Sequence, residues 1–445
     1  MSRRVALHNL GCKVNAYEME AMQQELEDSG YEIVPFAPGA DIYIINTCTV
    51  TNIADRKSRQ MLHKAKKMNP HAIVIAAGCY VQIQGEKIAK DPSIDIVLGN
   101  NEKNRLIDVL NEYEDACFLK DRENTDADMH MIDINHTSEY EPLSIAGTGE
   151  YTRAYIKVQD GCNQFCSYCV IPFARGRVRS RQREDIVEEC KRLAQSGHQE
   201  MVLTGIHLSS YGADFDEKDS LLGLIRVIHE IKGVKRIRLG SLEPRIVTEE
   251  FAKEISFLKK VCPHFHLSLQ SGCDSTLNRM NRKYTSKEYR ESCRMLRKYY
   301  DNPAITTDVI VGFPGETPEE FEESRAFVES VHFFETHIFK YSSREGTRAA
   351  VMPGRISENI KHGRSQTLLA LDEKRRTEYM EQFIGHRVEV LFEEPVEIDG
   401  EQYYAGYTRE YIRTAVKSET PLSGALTPVM IHSRKDNLLL GETFH

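Results

Sequence analysis

Nearly continuous apolar runs, set between stretches of helical periodicity, constrain this chain more than any other feature. IYIIN (42–46) and AIVIAAG (72–78) are almost wholly apolar, and RVALHNL (4–10) precedes them. Such runs suit parallel strands buried on both faces. The helical patterns AYEMEAMQQELEDSG (16–30) and DRKSRQMLHKAKKMN (55–69) lie between them, closed by Gly30 and Pro70. The plan is βαβαβ, which predicts an N-terminal open parallel α/β domain. A second series starts near Arg153: RAYIKVQDG (153–161), EMVLTGI (200–206), RIRLGSL (236–242), HFHLSLQ (264–270), AITTDVIVG (304–312) and THIFKYS (336–342). Helical patterns such as REDIVEECKRLAQSG (183–197) fill the gaps. Six β/α units predict a partial (β/α)6 barrel, short of the full eight and open on one side to a large substrate. After a charged helix at 357–384, HRVEVLFEE, EQYYAGYTREYIRTAVK and PVMIHSR read as short strands of a C-terminal small β-barrel. The expected division is 1–120, a polar linker at 121–147 with room for one strand, 148–376 and 377–445.

The chain has 445 residues, and 58 Lys+Arg against 67 Asp+Glu give a net charge of −9. That excludes a uniformly basic nucleic-acid binder but not a local basic groove. The segment 377–445 carries six Lys/Arg against twelve Asp/Glu, so any RNA role there rests on a local face. Mean hydropathy is −0.46. No window approaches the ~18 consecutive apolar residues of a membrane span. The opening MSRRVALHNLGCKVN has no apolar signal core. A soluble, cytoplasmic protein with no membrane partner is expected.

Eleven cysteines, an odd number, argue against a secreted disulfide framework. The strongest local signal is Cys162-Asn-Gln-Phe-Cys166-Ser-Tyr-Cys169, at the end of the first barrel strand. Three thiolates so placed can hold three irons of a [4Fe–4S] cube and leave the fourth open to a small molecule. A structural zinc site wants four ligands, and the next cysteine is Cys190. Cys12, Cys48 and Cys79 each follow one of the N-terminal strands. The C-terminal ends of parallel strands share one edge, so these three should meet in space. Three buried apolar cysteines are the bland alternative. Their common placement in LGCKVN, NTCTVT and AGCYVQ favours a second open-site cluster. Cys117, Cys190, Cys262, Cys273 and Cys293 read as packing residues.

CxxxCxxC with Tyr168 before its last cysteine resembles the radical S-adenosylmethionine (SAM) enzymes. Adding the three N-terminal cysteines and the small C-terminal β domain narrows the resemblance to the methylthiotransferases, over essentially the whole chain. The C-terminal part is then expected to be a TRAM domain. NLGCKVNAYE (9–18), NTCTVT (46–51), AGCY (77–80), LTGIHLSSYG (203–212), SLEP (241–244), SLQSG (268–272), DVIVGFPGET (308–317) and FKYSSREGT (339–347) carry the resemblance further. It implies two [4Fe–4S] clusters, SAM, and a one-electron reductant such as flavodoxin or ferredoxin. LGCKVNAYE looks like the branch acting on N6-threonylcarbamoyladenosine (t6A) in the tRNA anticodon loop. GCQMN marks the isopentenyl-adenosine branch, and LGCxKN the branch acting on ribosomal protein S12. A non-enzymatic iron–sulfur or zinc RNA-binding module is the rival class, and it would need fully ligated metal.

Gly205 could let SAM approach the backbone. Ser241, Glu243, Gln270 and Asp308 stand at barrel strands where its polar groups could bind. Hydrogen bonding within the barrel is the competing explanation for each. Arg175, Arg177, Arg179, Arg181 and Arg183 alternate, so an extended segment would present them to RNA on one face. Arg56, Lys57, Arg59, Lys64, Lys66 and Lys67 form a second basic stretch on a helix. Solvated charged faces are the alternative for both.

Overall fold

The computed structural model of the chain describes residues 3–118, 126–147, 152–216 and 220–444. The expected boundaries at 120 and 148, and the first part of the linker, lie outside the described residues. The first sheet has six parallel strands: β1 (Arg4–Asn9), β2 (Glu32–Ile33), β3 (Ile42–Thr47), β4 (Ile73–Gly78), β5 (Ile96–Leu98) and β6 (Asp128–His130). Their order is β2-β1-β3-β4-β5-β6. Successive residues of β3 and β4 feed opposite cores, Tyr43, Ile45, Val74 and Ala76 on one side and Ile42, Ile44, Ile75 and Ala77 on the other. Burial on both faces is why these strands read as unbroken apolar runs. β6 comes from the segment read as linker and pairs with β5, so the sheet reaches further along the chain than its expected domain.

Four helices accompany this sheet: α1 (Lys13–Asp28), α2 (Asn52–Met68), α3 (Cys79–Ala89) and α4 (Leu106–Phe118). α1 starts at Lys13 rather than Ala16, which makes Cys12 its N-cap residue. α2 starts at Asn52 rather than Asp55, because the Thr51 hydroxyl accepts from Ala54 N at 3.1 Å and adds a turn. Cys117 lies exposed on α4, which corrects its reading as a packing residue, whereas Cys190, Cys262, Cys273 and Cys293 are buried.

The second domain contains β7 (Arg153–Asp160), β8 (Arg179–Ser180), β9 (Glu200–Gly205), β10 (Arg236–Leu239), β11 (His264–His266), β12 (Ala304–Val311) and β13 (Glu335–Lys340). Two sheets, β10-β9-β7-β8 and β11-β12-β13, are joined by the bridges Ile237–Val261 and Leu242–Leu267. Six parallel strands thus form the expected partial barrel, with short antiparallel β8 on the β7 edge. Alternation sorts each strand. Ala154, Ile156, Met201, Leu203, Ile237, Leu239, Phe265, Ile305 and Val309 enter the core beneath the surrounding helices. The residues between them turn inward, and these include Lys157, Glu200, Arg238, His264, His266 and Asp308. The lumen is polar.

The N-terminal domain spans the open side. From α1, the Tyr17 hydroxyl donates to Glu189 at 3.0 Å, and Glu18 pairs with Lys157 at 2.7 Å. At the opposite edge Arg344, just after β13, donates to Asn52, Thr49 and Asp55 at 2.6, 2.7 and 2.7 Å. The last five strands are β14 (Arg387–Ile398), β15 (Glu401–Thr408), β16 (Arg413–Val416), β17 (Leu426–Lys435) and β18 (Leu438–Thr443). They close as β14-β15-β16-β18-β17. This small barrel caps the N-terminal ends of the large barrel's strands. Arg236 donates to Tyr407 O at 3.0 Å, Arg238 to Arg409 O at 2.9 Å and Arg153 to the Tyr411 hydroxyl at 3.0 Å. Among the described residues no helix is long and apolar enough to cross a membrane.

Candidate metal centres

β7 ends at Asp160, and the chain turns at once into the Cys162–Cys169 loop. Gly161 has φ +70°, and a Cβ there would meet Arg177 O at 1.8 Å, so only glycine fits this turn. The loop is pinned from outside. Cys162 N donates to Gly176 O at 3.0 Å, Ser167 N to Met280 O at 3.0 Å, and the Asn281 amide to Phe165 O at 2.8 Å. Tyr168 packs edge-on against Phe313 with ring centroids 6.3 Å apart, so its ring anchors the loop in the barrel. Arg282 Nη1 donates to Cys166 Sγ at 3.2 Å. Burial pushes the Cys162 thiol up to about 11 and Cys169 to about 12, with the neighbouring Cys166 charge adding to both. The desolvated Cys162 and Cys169 thiols favour thiolates only against a cation, which cluster irons would supply.

The second triad meets as the shared strand edge requires. Cys12 caps α1, Cys48 follows β3, and Cys79 begins α3. A Cβ on Gly11 would lie 3.2 Å from Cys48 Cβ, and one on Gly78 (φ +95°) would meet Asn46 Oδ1 at 2.4 Å. Glycine before the first and third cysteines therefore allows the loops to converge. Asn15 ties them together, donating to Thr47 O at 3.0 Å and accepting from Cys12 Sγ at 3.5 Å. Burial raises Cys12 and carries Cys48 to about 11, and each feels the charge of Cys79.

A buried ionic network joins the two regions. Arg175 Nε donates to Cys79 Sγ at 3.2 Å, while its Nη1 lies 2.6 Å from Glu18 and 3.1 Å from Asp160. Lys157 stands 2.7 Å from both carboxylates, and Lys103 is 3.3 Å from Glu18. Burial would raise Glu18 and Asp160, but Arg175 with the nearby lysines holds both well below the usual carboxylate range. Four cations (Arg175, Arg179, Lys157 and Lys103) face these two carboxylates and Glu141. An excess of buried positive charge beside Cys79 matches an anionic thiolate cluster, so the residues present fit the group.

The same network corrects the expectation of an arginine face for RNA. Arg175, Arg179 and Arg181 are 0%, 1% and 5% exposed. Arg181 pairs with Glu189 at 2.5 Å. Alternation does put side chains on one face here, but that face meets α1. Arg177 is half-buried, its guanidinium 4.6 Å over the Phe165 ring. The α2 stretch differs: Arg56, Lys57, Arg59, Lys64 and Lys67 are exposed, while Lys66 pairs with Asp95 at 2.7 Å.

The expected cofactor-binding residues surround the inner barrel. The space beside Gly205 is filled by Gln159, whose Oε1 would lie 2.9 Å from an added Cβ. Ser241 is exposed, and Glu243 accepts from Arg245 at 2.7 Å. Gln270, with φ +71°, donates through its backbone to Asp308 O at 2.8 Å. Asp308 itself lies 3.1 Å from His266 Nε2, and His337 stacks on His266 with ring centroids 5.7 Å apart. Ligand atoms of His266, Asp308 and His337 all fall within 4.8 Å of one another. Sequence reasoning missed Glu18, Lys103, Lys157 and Arg282 as partners of the site. It also missed His207, whose buried Nε2 has no partner among the described residues and whose pKa falls to about 4 through burial and the nearby Arg282 charge.

Residues 4–99 match the family described as Uncharacterized protein family UPF0004, and residues 156–328 match the Radical SAM superfamily. The chain is 38% identical to threonylcarbamoyladenosine tRNA methylthiotransferase MtaB of Bacillus subtilis, over 96% of this chain and 93% of that one. The Aquifex aeolicus protein of the same name is 40% identical, over 90% and 95%. A tRNA-2-methylthio-N(6)-dimethylallyladenosine synthase of Moorella thermoacetica is 35% identical, over 97% and 96%. Among solved structures, the radical S-adenosylmethionine methyltransferase TsrM from Kitasatospora setae is similar in fold. Its TM-score is 0.55 at 16% identity, with 79% of this chain and 77% of that chain covered.

Proposed function

The chain belongs to the radical SAM methylthiotransferases, and we propose that it converts t6A beside the tRNA anticodon to the 2-methylthio derivative, with two SAM and two [4Fe–4S] clusters. The observation that carries this reading is that two separate three-cysteine sets each converge and each have a guanidinium bonded to one sulfur, Arg282 to Cys166 and Arg175 to Cys79. Near-full-length likeness to two t6A methylthiotransferases, at somewhat higher identity than to the dimethylallyladenosine synthase, supports this substrate.

C2 of adenine bears a C–H bond that no side-chain base deprotonates usefully, so the cofactor must provide the reactivity. When bound, the clusters supply the electron that cleaves SAM to methionine and a 5′-deoxyadenosyl radical, and the sulfur that is transferred. Cys162, Cys166 and Cys169 would hold the first and Cys12, Cys48 and Cys79 the second. Arg282 and Arg175 each give a sulfur of one triad a charged hydrogen bond, which tunes its basicity. Ser241, Glu243 and Gln270 remain the proposed SAM contacts, whereas Gly205 faces Gln159 and Asp308 turns to His266. The tRNA backbone meets the exposed basic side of α2, whose first turn follows closely on Cys48. A target base must leave its stack to reach the lumen, which loop nucleotides allow cheaply. Flavodoxin or ferredoxin would deliver the electron, in the reducing cytoplasm where free cluster thiols survive.

The test is anaerobic incubation of the reconstituted protein with SAM, a reductant and tRNA, followed by nucleoside mass spectrometry. Methylthiolated t6A is expected, with S12 and isopentenyl-adenosine tRNA unchanged. Methylthio-isopentenyl-adenosine beside unmodified t6A would overturn the substrate assignment.

A further inference from the structure

Lys13 follows Cys12 directly, yet its side chain does not serve the cysteine triad. Its Nζ reaches inward and lies 5.9 Å from the centroid of the Tyr411 ring, which the C-terminal barrel inserts at the base of the lumen. Among the described residues it has no carboxylate or carbonyl partner. His264 packs against the same ring at 5.0 Å between centroids. Two residues along β11 and on the same inward face stands His266, which carries His337 and Asp308 beside it. The lumen is therefore graded in charge. One end has an unpaired ammonium, and the other has two imidazoles and a carboxylate.

The threonylcarbamoyl group is graded in the same way. It ends in a carboxylate and carries a hydroxyl and a ureido N–H. The sugar leaves adenine through the five-membered ring, so C2 and the N6 substituent both lie on the edge of the base that enters the site first. We propose, resting on the t6A reading above, that Lys13 binds the substrate's threonyl carboxylate while the His266–Asp308–His337 group receives its hydroxyl and ureido N–H. Asp308 makes the imidazole end a poor seat for an anion. Among the described residues nothing anionic is bonded to Lys13. An isopentenyl substituent would offer the half-buried ammonium no partner, which turns Lys13 into a device for rejection as well as binding.

The test uses cluster-loaded full-length protein without SAM and an anticodon stem-loop RNA carrying t6A or its threonine carboxamide. Wild type should bind the acid roughly tenfold tighter than the amide, the size of one charged hydrogen bond. Lys13→Ala should bring that ratio to about one, and Lys13→Arg should keep it. His337→Ala should weaken both ligands alike and leave the ratio standing. A Lys13→Ala protein with full iron and an unchanged acid-to-amide ratio overturns the inference, as does a wild type that ignores the change to amide while still methylthiolating t6A. Failure of wild type to methylthiolate t6A RNA at all would instead remove the substrate reading beneath it.

Discussion

Arg175 makes the strongest single commitment in the molecule, since one guanidinium holds Glu18, Asp160 and Cys79 while fully buried. Arg175→Ala would leave two buried carboxylates short of a partner, and breaking such a pair costs about 3–5 kcal/mol. The expected result is a lower unfolding midpoint and loss of about half the iron, while reductive SAM cleavage persists; full iron with an unchanged midpoint would count against the network. The cysteines themselves divide more sharply. Replacing Cys162, Cys166 and Cys169 by Ala should take about eight irons to about four and abolish SAM cleavage. Replacing Cys12, Cys48 and Cys79 should remove the same iron but leave 5′-deoxyadenosine formation intact while methylthiolated product disappears. Residues of this kind were legible because their spacing is tied to chemistry. The arginines were not, because alternation tells which side chains share a face and is silent on whether water or α1 covers it.

Among the elements, α2 and α1 have separable roles. α2 exposes its basic side, and replacing Arg56, Lys57, Lys64 and Lys67 by Ala should weaken tRNA binding. For every phosphate that loses its cation, the slope of log affinity against log salt should become shallower by about 0.7–0.9. An unaltered slope would move the RNA elsewhere. α1 carries Glu20, whose two carboxylate oxygens are buried without a partner among the described residues. Burial lifts its pKa from 4.5 to about 8, and the Glu189 charge adds to this. The folded chain thus keeps a proton that the unfolded chain releases across that window. Stability falls as pH rises through it. Glu20→Gln removes the titration, so the variant's unfolding midpoint should gain on wild type between about pH 4.5 and 8, and a pH-independent gap would sink the argument. Strands buried on both faces were plain in the sequence. β6 fills the one strand for which the 121–147 segment had room, but short β8 was not legible, since a pair of residues carries no periodicity and is held by its neighbours alone.

At the scale of the whole molecule, the α/β domain closes the side of the partial barrel and the small β-barrel closes its base. Three folds that each read clearly as patterns therefore make one chamber, and its walls come from all of them. The order of units could be taken from apolar runs, but the chamber could not. Lys13, Arg238, His266 and Tyr411 are scattered through the chain, and only long-range packing brings them together. Because those walls are polar, substrate entry exchanges water's hydrogen bonds for protein ones and hides little hydrocarbon. Heat capacity is the reporter of hydrocarbon removed from water. Calorimetric titration of the loaded protein with t6A stem-loop RNA should accordingly give a binding enthalpy nearly flat with temperature and a van 't Hoff plot close to a straight line. A steeply curved plot would mean that the base is gripped by apolar surface outside the lumen. The enzyme's affinity for its substrate should then drift with temperature at a steady rate, with no optimum inside the range where the fold survives.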